Sequence, residues 1–168
     1  MCRGFFVRFL MRRGKMGSAI VFGIGSPHGD DIVGWRAIER LEASLHTADV
    51  AFECLDRPGI RLLSRFEGVA AVVLIDAVAG LAPGEVRRLG LDEAVALEQP
   101  WTSHGFGLGQ TLAMGRVLGA LPPWIEIVGI GVGDVPDLER LRPQVAAAVP
   151  RAADEVQRIM LRSRHPTL

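Results

Sequence analysis

The stretch Gly23-Ile24-Gly25-Ser26-Pro27-His28-Gly29-Asp30-Asp31 joins an apolar segment to an amphipathic one. Residues 19–22 before it form a short apolar run, which is typical of a buried strand. After it, from Ile32 onward, apolar residues recur at helical spacing. The glycines between the two allow a sharp change of direction that a Cβ atom would penalise. The order of strand, glycine-rich turn and helix predicts the opening unit of an α/β fold.

The charge of this turn argues against a nucleotide site. Its glycines follow the spacing G-x-G-x-x-x-G, one residue longer than the dinucleotide-binding fingerprint. Asp30 and Asp31 lie where the helix begins, the position at which a phosphate would bind. Two carboxylates repel an anion and attract a cation. The turn therefore predicts an acidic loop that faces a metal, with a nucleotide-binding domain as an alternative.

The rest of the chain continues the alternation of strands and helices. Strand-like segments cover residues 50–55, 69–75, 86–89 and 124–130. Helical patterns cover residues 60–66 and 108–119 and the segment that begins at Pro143, whereas residues 91–99 are ambiguous. This order predicts a three-layer α/β sandwich, in which a mostly parallel, twisted sheet of about five strands carries helices on both faces.

Length and charge place limits on organisation and partners. The 168 residues are expected to form a single domain over residues 16–168. Residues 1–15 carry five basic and no acidic residues, and we expect them to be a disordered tail or to precede a true start at Met16. The other residues then hold 14 basic and 19 acidic groups, so a nucleic-acid partner is not expected.

The cysteines and the hydropathy indicate a cytoplasmic protein. Cys2 and Cys54 are the only cysteines, and Cys54 lies in an apolar run that predicts a reduced core thiol. No uncharged apolar stretch reaches the ~18 residues that a membrane span requires. Neither a membrane partner nor a secretory leader is expected.

Acidic and imidazole side chains are predicted to meet at one edge of the sheet. Asp31 follows the first strand, Asp76 ends the apolar run of the third, and His104 precedes a helix. In open α/β folds the ligands bind at the carboxyl edge of the strands. Two carboxylates and one imidazole suit Ni, Zn, Fe or Co and leave coordination positions open.

Each of these residues also has a structural interpretation. Asp30 or Asp31 can cap the following helix. His104 can be an ordinary loop histidine, and His28 is either a fourth metal contact or, as we favour, a surface residue. No G-x-S-x-G motif is present, so hydrolysis would use carboxylates or water rather than a serine nucleophile.

Four segments, in order, resemble the hydrogenase maturation endopeptidase family. They are the opening motif of residues 23–31, the segment Val72-Val-Leu-Ile-Asp-Ala77 with Pro83-Gly84, the segment Ser103-His104 with Gly107-Leu108, and the strand of residues 125–130. The chain departs from the family pattern at Ser26, where Asn is usual, and at Arg57-Pro58-Gly59 after Asp56.

The resemblance implies an aspartic-type endopeptidase that removes the C-terminal extension of a nickel–iron hydrogenase large-subunit precursor after nickel insertion. It implies that Asp31, Asp76 and His104 bind nickel that the substrate carries. Asp30 and Asp56 are then candidates for an orienting residue or for the general base of the reaction. A non-proteolytic metal-binding assembly factor on the same fold is the alternative.

Overall fold

A computed structural model describes residues 19–45, 50–97 and 107–163. Its strands are β1 (Ala19–Gly25), β2 (Val50–Asp56), β3 (Ala71–Ala79), β4 (Val86–Leu89) and β5 (Trp124–Gly133). Its helices are α1 (Val33–Ser44), α2 (Leu62–Arg65), α3 (Leu91–Leu97), α4 (Leu108–Leu118), α5 (Pro143–Ala146) and α6 (Val149–Ser163). Short 3₁₀ turns cover Gly29–Ile32 and Gly59–Arg61. Cys2, His104 and the basic segment 1–15 lie outside the described residues.

The strands form one sheet in the order β2-β1-β3-β5-β4. β2, β1, β3 and β5 are parallel, and β4 pairs antiparallel with β5 at the edge. The predicted fold class is thereby confirmed. Because neighbouring parallel strands run in one direction, their carboxyl ends meet at one edge of the sheet, which also receives the turn at residues 26–32.

Hydrophobic clusters cover both faces of the sheet. One cluster joins alternate strand residues such as Val21, Val73 and Val128 to α1, α5 and α6. The other joins Phe22 and Leu74 to the face that α2, α3 and α4 cover. Central strands that are buried on both faces must be apolar at consecutive positions, as the run Val72–Ile75 is.

Two element boundaries differ from the sequence-based prediction. β3 does not end at Asp76 but continues to Ala79, because β5 also extends to Gly133 and keeps pairing with it across an irregularity at Val78/Ala79. The last helical segment is divided into α5 and α6. Pro150 lies in the first turn of α6, where its missing N–H is tolerated, whereas inside one continuous helix it would remove a hydrogen bond.

Two further predictions can be compared with the described residues. Cys54 is half-buried in β2 and packs against the cluster containing α1. Within the described ranges, none of the helices is long and apolar enough to cross a membrane.

Candidate active site at the carboxyl edge of the sheet

Asp31 is held in the turn after β1 by a close approach to Gly25. Gly25 has φ +152°, and a Cβ atom there would lie 1.9 Å from the Asp31 carbonyl oxygen and 3.9 Å from Asp31 Cγ. The Ser26 amide donates to that carbonyl (3.3 Å), and the Asp31 amide donates to the carbonyl of His28 (3.1 Å). The turn thus folds back on the end of β1, and only glycine at position 25 leaves room for it.

The start of α1 packs directly against β1 and β3. A Cβ atom on Gly34 would lie 2.4 Å from the carbonyl oxygen of Ile24 and 2.8 Å from that of Ile75. These two residues immediately precede Gly25 and Asp76 on adjacent strands. The contact therefore places the start of α1, which follows the turn that carries Asp31, against the ends of the two strands that lead to Gly25 and Asp76.

Asp76 is half-buried inside β3, opposite Gly129 of β5. Its Oδ1 accepts a hydrogen bond from the Ala77 amide (2.9 Å). Because side chains alternate along a strand, Asp76 shares its face with Val72 and Leu74, the face that α4 covers. Asp76 therefore lies on the side of the sheet opposite to α1, close to the carboxyl edge.

The N-terminus of α4 is directed toward the same edge. Its C-terminal end leads into Trp124 at the beginning of β5, so the helix runs antiparallel to the strands. Its 11 residues span about 16 Å. The described chain therefore resumes at Gly107 near the carboxyl edge, on the Asp76 face. His104 precedes this point by three residues and lies outside the described residues.

Asp30 does not cap α1, contrary to one interpretation of the sequence. It is fully buried, and its carboxylate accepts three hydrogen bonds from the loop after β5. The donors are the amide of Asp137 (3.0 Å), the amide of Arg142 (2.8 Å) and Nε of Arg142 (2.6 Å). Neither the 3₁₀ turn nor α1 has a side-chain cap, because Asp30 is engaged with these distant donors.

The loop after β5 is ordered by its own aspartate. The Asp137 carboxylate accepts hydrogen bonds from the amides of Arg140 (3.0 Å) and Glu139 (2.8 Å), and these bonds lower the pKa of Asp137 below its ordinary value. Nearby cationic Arg142 and Arg140 act in the same direction. A Cβ atom on Gly29 (φ +50°) would lie 1.9 Å from the Asp137 carbonyl oxygen. The loop is thus packed against the turn that carries Asp31.

Asp56 and His28 are the two candidate functional residues with exposed side chains. Asp56 ends β2 opposite Gly25, its side chain is 53% exposed, and Arg57 Nε donates to it at 3.0 Å. The Arg57 amide donates to the carbonyl of Gly25 (3.0 Å), which ties this strand end to the turn. His28 is exposed, in agreement with its interpretation as a surface residue.

Two of the three predicted metal ligands, Asp31 and Asp76, lie within the described residues. Within residues 19–45, 50–97 and 107–163, no group of three His, Cys, Asp or Glu side chains lies close enough to hold a metal ion. Asp31 and Asp76 are oxygen donors on adjacent elements, so a third donor would have to come from another part of the chain or from a bound substrate.

Sequence reasoning did not identify Arg142 or Asp137 as residues of the site. Their partner, Asp30, precedes Arg142 by 112 positions. Arg142 stands just before the proline that begins α5, and no local pattern indicates a distant carboxylate. Charged residues in a loop are usually solvated, so only the tertiary structure reveals this contact.

Comparison with known proteins identifies the group to which this architecture belongs. The sequence model of the family described as HycI, hydrogenase maturation protease, matches residues 36–159. The chain belongs to the hydrogenase maturation protease family. The matched range includes Asp76 and His104 but begins after Asp31. No curated protein matches the chain significantly.

Solved structures of maturation proteases share the fold over nearly the whole chain. The hydrogenase maturating endopeptidase HybD from E. coli is 25% identical, with a TM-score of 0.69, and the match covers 87% of this chain and 93% of that one. A hydrogenase 2 maturation peptidase from Thaumarchaeota archaeon SCGC_AB-539-E09 is 29% identical (TM-score 0.58; 85% and 97% covered). The HycI protease from Thermococcus kodakarensis KOD1, 22% identical, shows the same fold (TM-score 0.65; 84% and 91% covered).

Proposed function

We propose that this maturation protease removes the C-terminal extension of a nickel–iron hydrogenase large-subunit precursor once nickel has been inserted, and that it recognises the nickel bound to that substrate. The observation that carries the proposal is the placement of Asp31 and Asp76 on adjacent elements at the carboxyl edge of the sheet. Membership of the hydrogenase maturation protease family supports the reaction type.

In this proposal, Asp31, Asp76 and His104 are the ligands that the enzyme offers to the metal. The nickel arrives as part of the substrate, where cysteine thiolates of the precursor supply most of the affinity. Oxygen and nitrogen donors of the enzyme then occupy the free coordination positions. The direction of α4, which brings the chain back at Gly107 on the Asp76 face, supports the assignment of His104.

The two remaining carboxylates are assigned different roles. Asp30 is fully buried and accepts three hydrogen bonds, so its proposed role is to orient the turn. Asp56 is exposed at the same edge and is the candidate general base. It would take a proton from the attacking water, whose oxygen adds to the scissile carbonyl carbon. The C–N bond then breaks, and the leaving amine takes up a proton.

The decisive experiment compares nickel-loaded precursor with metal-free precursor. Enzyme that has been treated with a chelator and then freed of it should cleave the loaded precursor at its normal rate. The same enzyme should leave metal-free precursor intact. The mass of the precursor C-terminus reports both results.

Two outcomes would contradict the proposal. Cleavage of metal-free precursor at the normal rate would remove the role of nickel and leave a general peptidase. Binding of the loaded precursor without cleavage, under conditions in which a related protease cleaves its own substrate, would favour a non-proteolytic assembly factor.

A further inference from the structure

Arg142 connects three parts of the molecule around Asp30. Its amide and its Nε donate to the two oxygens of the Asp30 carboxylate, at 2.8 Å and 2.6 Å. Its Nη2 donates to the carbonyl of Val132, near the end of β5. The Asp30 carboxylate is fully buried, while the Arg142 side chain is 29% exposed. One guanidinium therefore ties the end of β5 and the beginning of α5 to the residue next to Asp31.

The contact is specific to an arginine. The planar guanidinium holds several N–H donors in fixed directions, so it can serve a carboxylate and a carbonyl at the same time. A lysine at this position could neutralise Asp30, but its single ammonium group could not reproduce that geometry. A buried carboxylate that loses such a partner is strongly destabilised and is expected to move or to take up water.

The position of Asp31 depends on this arrangement through the backbone. Asp30 and Asp31 belong to the same 3₁₀ turn, Gly29–Ile32. On one side the turn contacts Gly25 through the Asp31 carbonyl, and on the other it contacts Asp137 through Gly29. Loss of the Arg142 guanidinium would remove one of the three donors to the Asp30 carboxylate and the link to Val132. The Asp30 amide would still donate to the Asp137 carbonyl, but the second side of the turn, and with it the Asp31 carboxylate, would be held less rigidly.

We propose that Arg142 is a positioning residue of this protease, which orients the Asp31 carboxylate for substrate by clamping Asp30 against the loop after β5. This proposal rests on the proposed role of Asp31 in binding substrate-borne nickel. In this proposal Arg142 acts without contacting the substrate or the metal. Its effect is transmitted through Asp30 and the backbone of the turn.

The test compares Arg142→Gln and Arg142→Lys with Arg140→Gln. Arg140 lies on the same loop and is exposed, and among the described residues its side chain forms no hydrogen bond or ion pair. The charge change is thus the same in the control. We expect R142Q to lower kcat/KM for nickel-loaded precursor about 10- to 100-fold, since small displacements of a positioning group have effects of this size. R142K should recover part of the loss, and R140Q should match the wild type.

A second readout separates positioning from general destabilisation. Amide hydrogen exchange of Ser26 and Asp31 reports the two hydrogen bonds of the turn. It should accelerate in R142Q at temperatures where circular dichroism shows a fully folded protein. If R142Q does not fold, Asp30→Asn provides the same comparison, because it removes the charge while keeping the shape of the side chain.

The outcomes distinguish this proposal from the proposed function. Unchanged exchange at Ser26 and Asp31 in a folded R142Q, or a loss of activity that merely follows the unfolded fraction, would overturn the positioning role. Failure of the wild type to cleave nickel-loaded precursor would overturn the proposed function instead. In that case the exchange comparison would still decide whether Arg142 orders the turn.

Discussion

Asp30 and Asp137 exchange a reciprocal pair of hydrogen bonds across 107 positions of the chain. The Asp30 amide donates to the Asp137 carbonyl at 2.7 Å, and the Asp137 amide donates to the Asp30 carboxylate at 3.0 Å. The pair joins the turn after β1 to the loop after β5. These are loops of two strands that are separated by β3 in the sheet, so the contact spans the strand that carries Asp76.

Replacement of Gly29 by alanine should disrupt this junction. The new Cβ atom would lie 1.9 Å from the Asp137 carbonyl oxygen, and the residue would keep a left-handed backbone. Gly119→Ala is the matched control, because Gly119 has a similar φ of +63° with no described atom within 4 Å of the Cβ position. We expect G119A to lose about 1–2 kcal/mol of unfolding free energy and G29A to lose distinctly more. Chemical denaturation measures both losses. Equal losses of unfolding free energy would show that the loop containing Asp137 can move to accommodate the new Cβ atom at little cost.

Substitution of the three candidate ligands should abolish processing without unfolding the protein. Asp31→Asn, Asp76→Asn and His104→Ala should each lower the cleavage rate at least about 100-fold, because each removes a group that positions the substrate. Asp154→Asn, an exposed change on α6, is the control. Normal cleavage by any of the three variants, with the thermal midpoint retained, would remove that residue from the proposed ligand set.

Thr111 provides a test of the packing beneath α4. Its side chain is fully buried, and its hydroxyl has no hydrogen-bond partner among the described residues. Thr111→Val replaces that hydroxyl with a methyl group of similar size, and it should stabilise the protein by about 1 kcal/mol. Thr111→Ser keeps the hydroxyl, loses the methyl group, and should destabilise the protein by about 1 kcal/mol. A lower thermal midpoint for T111V would indicate that residues outside the described ranges bind the hydroxyl.

The loop after β5 should lose stability in acid. Hydrogen bonds from the amides of Arg140 and Glu139 lower the pKa of Asp137 from its ordinary value of 3.8. A lowered folded-state pKa contributes stability above the unfolded-state value, and this contribution is lost as the pH falls through the folded-state pKa. We therefore expect Asp137→Asn to reduce the fall in thermal midpoint as the pH drops from about 5 toward 2.

The control for this pH dependence is Asp134→Asn on the same loop. Asp134 is exposed, and within the described part of the chain its carboxylate accepts no hydrogen bond. The D134N profile should follow the wild type at every pH. If D134N and D137N reduce the fall in thermal midpoint at low pH to the same extent, then the general charge of the loop, rather than the hydrogen bonds to Asp137, controls its stability.

The fold and part of the site could be predicted because their signals are local. The consecutive apolar residues of β3 indicate a strand that is buried on both faces. The helical spacing of apolar residues in α1 indicates a helix that is buried on one face, and the observed hydrophobic clusters agree with both predictions. The alternation of strands and helices implies a parallel sheet with one carboxyl edge. This rule predicts Asp31 and Asp76 at that edge, where Gly34 packs the start of α1 against Ile24 and Ile75.

The role of Asp30 was decided only by the tertiary structure. In the sequence it is one of two adjacent acids before a helix, where capping is the usual function. In the fold it is sealed beneath the loop after β5 and paired with Arg142, while its neighbour Asp31 is left half-buried at the edge of the sheet. Local patterns specify strands, helices and the edge at which their ends meet. Which of two like charges is buried depends on a partner 112 residues away, and that pairing exists only after the chain has folded.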